Sequence, residues 1–447
     1  MEPRIVIVGA GVSGASTAIH LLKKGIRPII IDKASFPRDT VGEGLSPAIG
    51  PYLQELGLEA DILAGPFTRK RSLQLVAPNG AKAYTVIDFD NPVYQKRIHD
   101  YPFGFNVRRR NFDMAFLNKA KELGADIRLQ TNARKFHVDE NGHVNGIQIE
   151  SHNGKSEKIH TDLVVDCSGR SSALATQFDI RGKLESIYEG QWANFAVRCH
   201  FTNVNMTPFN NGNPCYEMQT VNVLPYHNCW YWFIPLELDT GLISVGFVAR
   251  SKVKSIFEGF DDKLSAYRAL FDEHPVLKEA LKDAEMLPDV ATTARLGHMN
   301  KQMKGDGYIC VGDAGFFADP AWGTGVTISL ATAKMAAEAI GRNYASKDFS
   351  STSFDEYETS FRKLINDPFN SIRAYNYYYN DNSYINWLVE RLTKKQREMD
   401  VVGAVAFDYV SHNEFTKWTY RMAKDYMAET GTFPVLNAAS SFKFETT

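Results

Sequence analysis

A glycine-rich turn between a strand and a helix constrains this chain more than any other feature. Residues Ile5–Val8 are a β-branched apolar run, which predicts a buried parallel strand. The sequence GAGVSG follows directly at residues 9–14, and residues 15–24 continue with apolar side chains at helical spacing. A strand, a GxGxxG turn and a helix in this order are typical of a dinucleotide-binding unit.

The three glycines of this turn have separate tasks. Gly9 permits a tight turn, Gly11 lets the backbone approach a pyrophosphate, and Gly14 lets the helix pack against the strand. A second buried strand at residues 29–31 ends at Asp32, which lies 23 residues after Gly9. A carboxylate at that position accepts a hydrogen bond from a ribose hydroxyl. The segment therefore predicts a dinucleotide site, but it does not choose between NAD and FAD.

Length, charge and cysteine usage narrow the class of protein. A chain of 447 residues predicts two or three domains, and a net charge of -2 gives no reason to expect nucleic acid or an anionic membrane as partner. No apolar run approaches the roughly 20 residues of a membrane span. The five cysteines are scattered without a CxxC pair, which argues against a metal site and a disulfide framework. With a first strand that begins at Ile5, we expect no signal peptide and a cytoplasmic protein.

The turns that follow predicted strands, and a stretch of strands without intervening helices, predict the domain organisation. The loop around Glu43, the turn containing Gly169 and the Gly312-Asp313 turn are rich in small or polar residues, and ligands of parallel sheets bind at such places. Between the last two turns the chain changes to strands without helices, which predicts a second, antiparallel sheet over residues 191–201, 215–223, 229–235 and 242–249. We therefore expect three parts: a discontinuous dinucleotide domain of residues 1–68, 100–180 and 290–345, a β-sheet substrate domain of residues 69–99 and 181–289, and a helical C-terminal region of residues 346–447.

Four motifs in order carry a family resemblance. They are GxGxxG with Asp32, the V-x-R-x-x-F-D pattern of residues 107–113, the D-x-S-G-R pattern of residues 166–170, and Gly312-Asp313. Together they resemble the FAD-dependent monooxygenase superfamily over about residues 1–345. The resemblance implies an α/β fold with a Rossmann-like FAD-binding domain, an inserted antiparallel-sheet substrate domain and a helical C-terminal region. It also implies that Asp313 binds the ribityl chain of FAD and that Arg109 lies near the cofactor.

Three further sites are similar to those of flavin-dependent halogenases. Residues 230–235 fit WxWxIP, residues 67–70 fit Phe-x-x-Lys, and residues 319–325 resemble the halide-binding loop. By this resemblance Lys70 aims hypohalous acid, Trp230 and Trp232 separate flavin from substrate, and Thr324 and Gly325 hold chloride or bromide. The family's glycine and aromatic after the lysine are Ser72 and Leu75 here. Trp322 stands where tryptophan halogenases carry a catalytic Glu, which favours a phenolic, pyrrolic or carrier-bound substrate.

Several alternatives stay open from the sequence. Lys70 is also compatible with a solvated surface cation, like Arg69 beside it, and the two tryptophans with core packing on one strand face. A flavin-dependent hydroxylase on the same scaffold, an alkene-reducing flavoenzyme of the geranylgeranyl-reductase type and a non-catalytic binding protein remain competing functions. Because no second nucleotide-binding unit is visible, we expect a separate flavin reductase to supply reduced FAD; transient reaction with NAD(P)H is the alternative.

Overall fold

The structure is a computed structural model that describes residues 2, 4–86, 103–183, 194–210, 218–226, 229–250, 258–379, 381–395, 397–399, 401–402 and 412–434. The chain forms two compact units, each assembled from three stretches. The first unit comprises Met1–Lys70, Gln95–Ala193 and Arg295–Asn366. The second comprises Arg71–Tyr94, Asn194–Ala294 and Asp367–Thr447. The predicted division into a dinucleotide domain, a substrate domain and a C-terminal region stays a prediction.

A six-stranded sheet forms the centre of the first unit. Its order is Lys304–Gly305, Tyr308–Cys310, Leu163–Asp166, Ile5–Val8, Ile29–Ile31 and Asp126–Arg128. All pairs are parallel except the first, which is antiparallel. Every residue of Ile5–Val8 is buried, as expected for a strand whose two faces are both covered. Because parallel strands end at one edge of the sheet, the glycine turn, the turn containing Gly169 and the Gly312-Asp313 turn lie together there.

Helices and three small sheets complete the first unit. One small sheet contains Thr131–Val138, Val144–Ser151 and Ser156–His160, a second contains Arg181–Lys183, His298–Asn300 and Phe316–Phe317, and a third contains Gly44–Leu45, Gly104–Asn106 and Thr68–Lys70. We call the third the site sheet. The α-helices of this unit are Val12–Lys23, Gly50–Leu56, Glu59–Ala64, Arg109–Glu122, Ala173–Gln177 and Gly325–Asn343. The helix Asp355–Tyr378 begins in this unit and crosses the boundary after Asn366.

A large sheet and helices form the second unit. The strand order is Glu285–Met286, Asn194–Thr202, Leu242–Arg250, Cys229–Glu237, Thr220–Tyr226, Ser72–Val76 and Lys82–Val86. The pairs are antiparallel except that Ser72–Val76 runs parallel to Thr220–Tyr226, and the long connection between these two strands includes Gln95–Ala193 of the first unit. The helices are Lys263–Phe271, Pro275–Leu281, Asn382–Lys394 and His412–Thr430.

The core of the second unit explains which sheet face carries which side chains. Tyr231 and Phe233 on one face pack with Phe247 and, from the two helices that follow the sheet, Tyr267 and Phe271. Alternation then puts Trp230 and Trp232 on the opposite face. The predicted α/β fold class, with its parallel sheet, inserted antiparallel sheet and C-terminal helices, is confirmed. The predicted strand starts at residues 191 and 215 lie outside the described residues.

Candidate functional site

The glycine turn forms a cradle that only glycines permit. A Cβ on Gly9, whose φ is +111°, would lie 2.2 Å from the carbonyl oxygen of Cys167, and a Cβ on Gly14 would lie 1.8 Å from the carbonyl oxygen of Gly9. Gly11 is different, because a Cβ there would meet only an Arg38 side-chain nitrogen at 3.4 Å. Gly9 and Gly14 therefore allow close packing, while Gly11 leaves the approach to the helix open.

The helix behind the turn is prepared for an anion. Val12–Lys23 has no side-chain N-cap and no acidic residue in its first turn, so its amide groups and dipole favour a phosphate. The Asp32 carboxylate accepts hydrogen bonds from the backbone amides of Ala10 and Ala34 at 2.7 and 2.8 Å. These bonds fix the carboxylate beside the turn, where a ribose would lie. The cradle and the acid fit the adenine half of a dinucleotide.

The Gly312-Asp313 turn closes on the same helix. Gly312 has a φ of +59°, and a Cβ there would lie 2.4 Å from the Oγ of Ser13. The next residue, Asp313, is partly buried, and burial raises the pKa of its carboxyl to about 6, against the opposing attraction of Arg170 and Arg109. One carboxylate oxygen lies 3.6 Å from the Cβ position of Gly325. The structure thus brings Asp313 to the first residue of the helix Gly325–Asn343.

Arg109 holds the loop that precedes the site sheet. Its Nε and Nη2 donate to the two carboxylate oxygens of Asp113 at 2.7 and 3.1 Å, and its Nη1 donates to the carbonyl oxygens of Val41 and Gly42 at 3.0 and 3.2 Å. The next residue of that loop, Glu43, is buried. The guanidinium is therefore largely committed to the chain, and its direct contact with the cofactor stays a prediction.

Arg170 and His298 belong to this site although sequence reasoning did not assign them a role. Arg170 follows Gly169, which has a φ of +64°, and its guanidinium carbon lies 5.5 Å from the ring centroid of Phe317. The Nε2 of His298 is hydrogen-bonded to the Oγ of Ser172 at 2.8 Å, and burial lowers the pKa of the His298 imidazole to about 3. The D-x-S-G-R motif includes Arg170. No local sequence pattern indicates that His298 lies near this motif in the folded protein.

Lys70 is buried on the site sheet. It pairs with Gly104 across the antiparallel ladder, and a Cβ on Gly104 would lie 3.4 Å from the Lys70 Cδ. Only 4% of Lys70 is exposed, whereas Arg69 on the other face is exposed and places its guanidinium carbon 4.7 Å from the ring centroid of Phe103. The alternative of a solvated surface cation is therefore wrong for Lys70.

The predicted halide loop touches the other edge of the site sheet. Asp319 accepts a hydrogen bond from the amide of Ala321 at 3.0 Å and opens a tight turn that ends at Gly323. Gly323 has a φ of +67°, and a Cβ there would lie 2.5 Å from the carbonyl oxygen of Gly44. Thr324 then stands at the N-cap of the helix Gly325–Asn343, without a side-chain cap. A 19-residue helix with no acid in its first turn offers its amides to an anion at that end.

The site sheet connects the strand of Lys70 with the predicted halide loop. Gly44 lies opposite Asn106, and Asn106 lies opposite Thr68, so the halide loop and the lysine strand contact opposite edges of three strands. Two strand spacings correspond to roughly 10 Å. The strand of Lys70 therefore lies about that far from the strand that Gly323 contacts.

The two tryptophans form a compact pair within the second unit. The ring centroids of Trp230 and Trp232 are 5.6 Å apart, and both residues are buried. The Trp232 indole donates to the Oγ of Ser244 at 3.2 Å, and a Cβ on Gly246 would lie 2.1 Å from its ring. Trp230 contacts Tyr375 edge to face, with the centroids 6.4 Å apart. The pair lies outside the core that contains Tyr231, and its predicted relation to flavin stays a prediction.

Comparison with known proteins agrees with the class that these motifs define. The profile of a family described as the FAD binding domain matches residues 2–258. A 1H-pyrrole-2-carbonyl-[peptidyl-carrier protein] chlorinase of Pseudomonas fluorescens is 28% identical over 388 residues, which are 83% of this chain and 83% of that protein. A tryptophan 2-halogenase of Chondromyces crocatus is 26% identical over 338 residues, which are 75% of this chain and 60% of that protein. The solved structure of the flavin-dependent brominase Bmp2 matches with a TM-score of 0.74 and 21% identity, over 96% of this chain and 100% of that chain.

The chain therefore belongs to the FAD-binding-domain family, and within it to the flavin-dependent halogenases. It is an FAD-dependent oxidoreductase, as the sequence motifs predict. In the part of the chain that the structure describes, no helix is both long and apolar enough to cross a bilayer. The same residues contain no group of three His, Cys, Asp or Glu side chains that could hold a metal ion.

Proposed function

We propose that this protein halogenates an electron-rich pyrrolic or phenolic ring that reaches it on a carrier protein. The observation that carries the proposal is a buried lysine, Lys70, on a three-stranded sheet whose opposite edge is in contact with the predicted halide loop. The named substrate of the Pseudomonas fluorescens relative is a pyrrole-2-carbonyl group on a peptidyl-carrier protein. Trp322, at the position of the tryptophan halogenases' glutamate, also favours a substrate other than tryptophan.

The first unit supplies the groups that would hold FAD and halide. Gly9, Gly11, Gly14 and Asp32 would bind the adenosine and pyrophosphate, and Asp313 would accept ribityl hydroxyls. Glu43, Arg109 and Gly169 would shape the walls, and the amides at Thr324 and Gly325 would hold chloride or bromide at the positive end of a helix. Reduced FAD supplies the oxygen activation by which halide becomes hypohalous acid. A separate flavin reductase would keep FAD reduced.

Lys70 would direct the halogen to the substrate. As an ammonium it would donate a hydrogen bond to the oxygen of hypohalous acid, so that the ring carbon attacks the halogen while hydroxide leaves and the ring proton is lost. As a neutral amine it would form an N–halogen bond with loss of water and then pass the halogen to the ring, which again loses its proton. Burial of Lys70 supports either route, because a solvated amine would release the halogen to other nucleophiles.

The tryptophan pair would prevent direct contact between substrate and flavin. Two large, packed indoles leave little room for a second aromatic ring, so only a small electrophile could pass. This division would suppress oxygen insertion and so separate the proposed halogenase from a hydroxylase. The hydroxylase remains the second candidate, because Ser72 and Leu75 depart from the family's lysine motif.

A comparison of two neighbouring cations tests the proposal. The protein is incubated with FAD, a flavin reductase, NADH and bromide or chloride, together with pyrroles and phenols, and products are identified by mass spectrometry. We expect Lys70→Ala to lose at least about 100-fold in halogenation rate, while Arg69→Ala retains activity because Arg69 lies exposed on the other sheet face. Halogenated product at an unchanged rate in Lys70→Ala would refute the lysine role. Oxygenated product that forms without halide would instead support the hydroxylase.

A further inference from the structure

The outer side of the helix His412–Thr430 carries a cationic and apolar surface. Its exposed residues recur at the spacing of one helix face, three to four residues apart. Two of them are large and apolar, with Met427 50% exposed and Tyr420 39% exposed. We call this surface the basic face; it consists of Lys417, Tyr420, Arg421, Lys424 and Met427, and one exposed acid, Glu414, lies one turn before Lys417 on the same side.

The charges of the basic face are not neutralised within the described residues. None of Lys417, Arg421 and Lys424 forms an ion pair there, although Lys424 places its ammonium 4.5 Å from the ring centroid of Tyr420. The neighbouring acid Glu429 instead pairs with Arg391 at 3.5 Å. Arg421, Tyr420 and Met427 are of residue types that are enriched at protein interfaces.

The inner side of the same helix leads toward the tryptophan pair. Tyr426 contacts Tyr384 with ring centroids 5.2 Å apart, and Tyr384 contacts Tyr379 at 6.2 Å. Tyr379 contacts Tyr375 at 4.6 Å, and Tyr375 contacts Trp230 at 6.4 Å. Four ring contacts within one compact unit thus connect the helix of the basic face with Trp230. A substrate delivered at this helix would need a long, thin arm to reach the tryptophan pair.

We propose that the basic face is the docking surface for an acidic carrier protein that presents its substrate on a pantetheine arm. This inference rests on the proposed function and names the partner that delivers the substrate. Charge complementarity selects the occupant, because three cations that form no ion pair within the described residues favour an acidic surface. In the sequence, residues 403–411 contain one aspartate and residues 435–447 contain one lysine and one glutamate, so these two segments carry little negative charge to match three cations.

The size of the basic face indicates a transient contact. Residues 417–427 of a helix span about 15 Å, which is small for a stable interface. A carrier that must leave after each turnover needs such a contact. Steering by charge raises the association rate without slowing release, and it weakens when salt screens the charges.

Charge reversal tests the proposal. The triple variant Lys417→Glu/Arg421→Glu/Lys424→Glu is assayed with an acidic peptidyl-carrier domain that bears pyrrole-2-carbonyl on its pantetheine thiol, and with the free pantetheine thioester of the same acid. We expect kcat/KM for the loaded carrier to fall about 10- to 100-fold, while kcat/KM for the free thioester stays within about twofold. Raising salt should lower kcat/KM of the unmodified protein for the loaded carrier and leave the triple variant nearly unchanged.

A matched variant and two binding measurements complete the test. Lys263→Glu/Lys278→Glu/Lys282→Glu changes the charge equally at exposed positions of other helices in the same unit, and it should process the loaded carrier normally. Equal loss in this control, or unchanged kcat/KM in the basic-face variant, would overturn the docking site. So would loss of self-association or of anionic-vesicle binding in the basic-face variant, since the face would then serve a second copy or a membrane. If the unmodified protein halogenates neither substrate, the proposed function itself fails; if it uses only the free thioester, the carrier inference alone fails.

Discussion

The substitution Asp313→Asn should raise the stability of the FAD-free protein while it weakens FAD binding. Burial raises the pKa of the Asp313 carboxyl from 3.8 to about 6. An acid whose pKa is higher in the folded state binds protons more strongly there, so the folded state loses stability as pH rises from about 4 through 6. The pKa difference corresponds to about 3 kcal/mol of unfolding free energy when the carboxylate is fully charged. An asparagine of the same shape avoids this cost.

Urea unfolding of the FAD-free protein at several pH values tests the predicted gain in stability. At pH 7.5 the Asp313→Asn variant should be more stable by up to about 3 kcal/mol, and this advantage should shrink toward zero near pH 4. Asp283→Asn, at an exposed carboxylate of the second unit, is the control and should show no such trend. A variant that is less stable at pH 7.5, or an advantage that does not change with pH, would refute the reasoning.

An FAD titration, followed by flavin fluorescence, tests the predicted loss of FAD affinity. The charged carboxylate would accept ribityl hydroxyls, and hydrogen bonds to a charged group contribute about 1.5–3 kcal/mol. Loss of that charge should therefore raise the Kd for FAD by about 10- to 150-fold. In the unmodified protein the Kd should rise as pH falls below about 6, because protonation removes the negative charge that strengthens these hydrogen bonds. Unchanged affinity in Asp313→Asn would show that Asp313 does not hold the ribityl chain.

Three further substitutions have defined outcomes. Asn106 is fully buried with neither side-chain nitrogen nor oxygen bonded in the described structure, so Asn106→Leu should stabilise the protein by about 1–3 kcal/mol in urea unfolding; destabilisation would indicate a missing partner. Gly246→Ala should displace the Trp232 indole, which lies 2.1 Å from the added Cβ, and cost about 1–3 kcal/mol, with a shifted tryptophan emission; an unchanged spectrum would contradict this packing. Gly323→Ala combines a φ of +67° with a 2.5 Å approach to a backbone carbonyl, so the KM for bromide should rise several-fold at unchanged FAD affinity, and a normal bromide KM would remove the loop from halide binding.

The local parts of the site could be predicted from the sequence. Residues close together in sequence specify the strand, glycine turn, helix and acid between Ile5 and Asp32. The structure forms each of these elements at the position that the sequence predicts. The α/β architecture and the C-terminal helices were also predictable. The strand Thr131–Val138 was not, because its TNARKFHV sequence is too charged for a clear apolar alternation.

The remaining parts depend on pairings between distant residues. The burial of Lys70 follows from its pairing with Gly104, 34 positions later, and local composition showed only three adjacent cations. Likewise, Ser72–Val76 joins the large sheet by pairing with Thr220–Tyr226, which no local pattern indicates. His298 reaches the Gly312-Asp313 turn only through the fold. Such features arise from pairings between distant segments, and local patterns in a single sequence do not reveal these pairings.

The short site sheet has a consequence for the choice of cation. Successive residues of a strand point to opposite faces, so a slip of one residue would turn Lys70 outward and bring Arg69 inward. A guanidinium carries its charge permanently and cannot act as an amine that accepts halogen. The register is set by the apolar residues on the other face, where Leu45 and Phe105 are almost fully buried. The identity of the proposed reactive group thus depends on the register of a three-residue strand, which the burial of two hydrophobic side chains on the neighbouring strands favours.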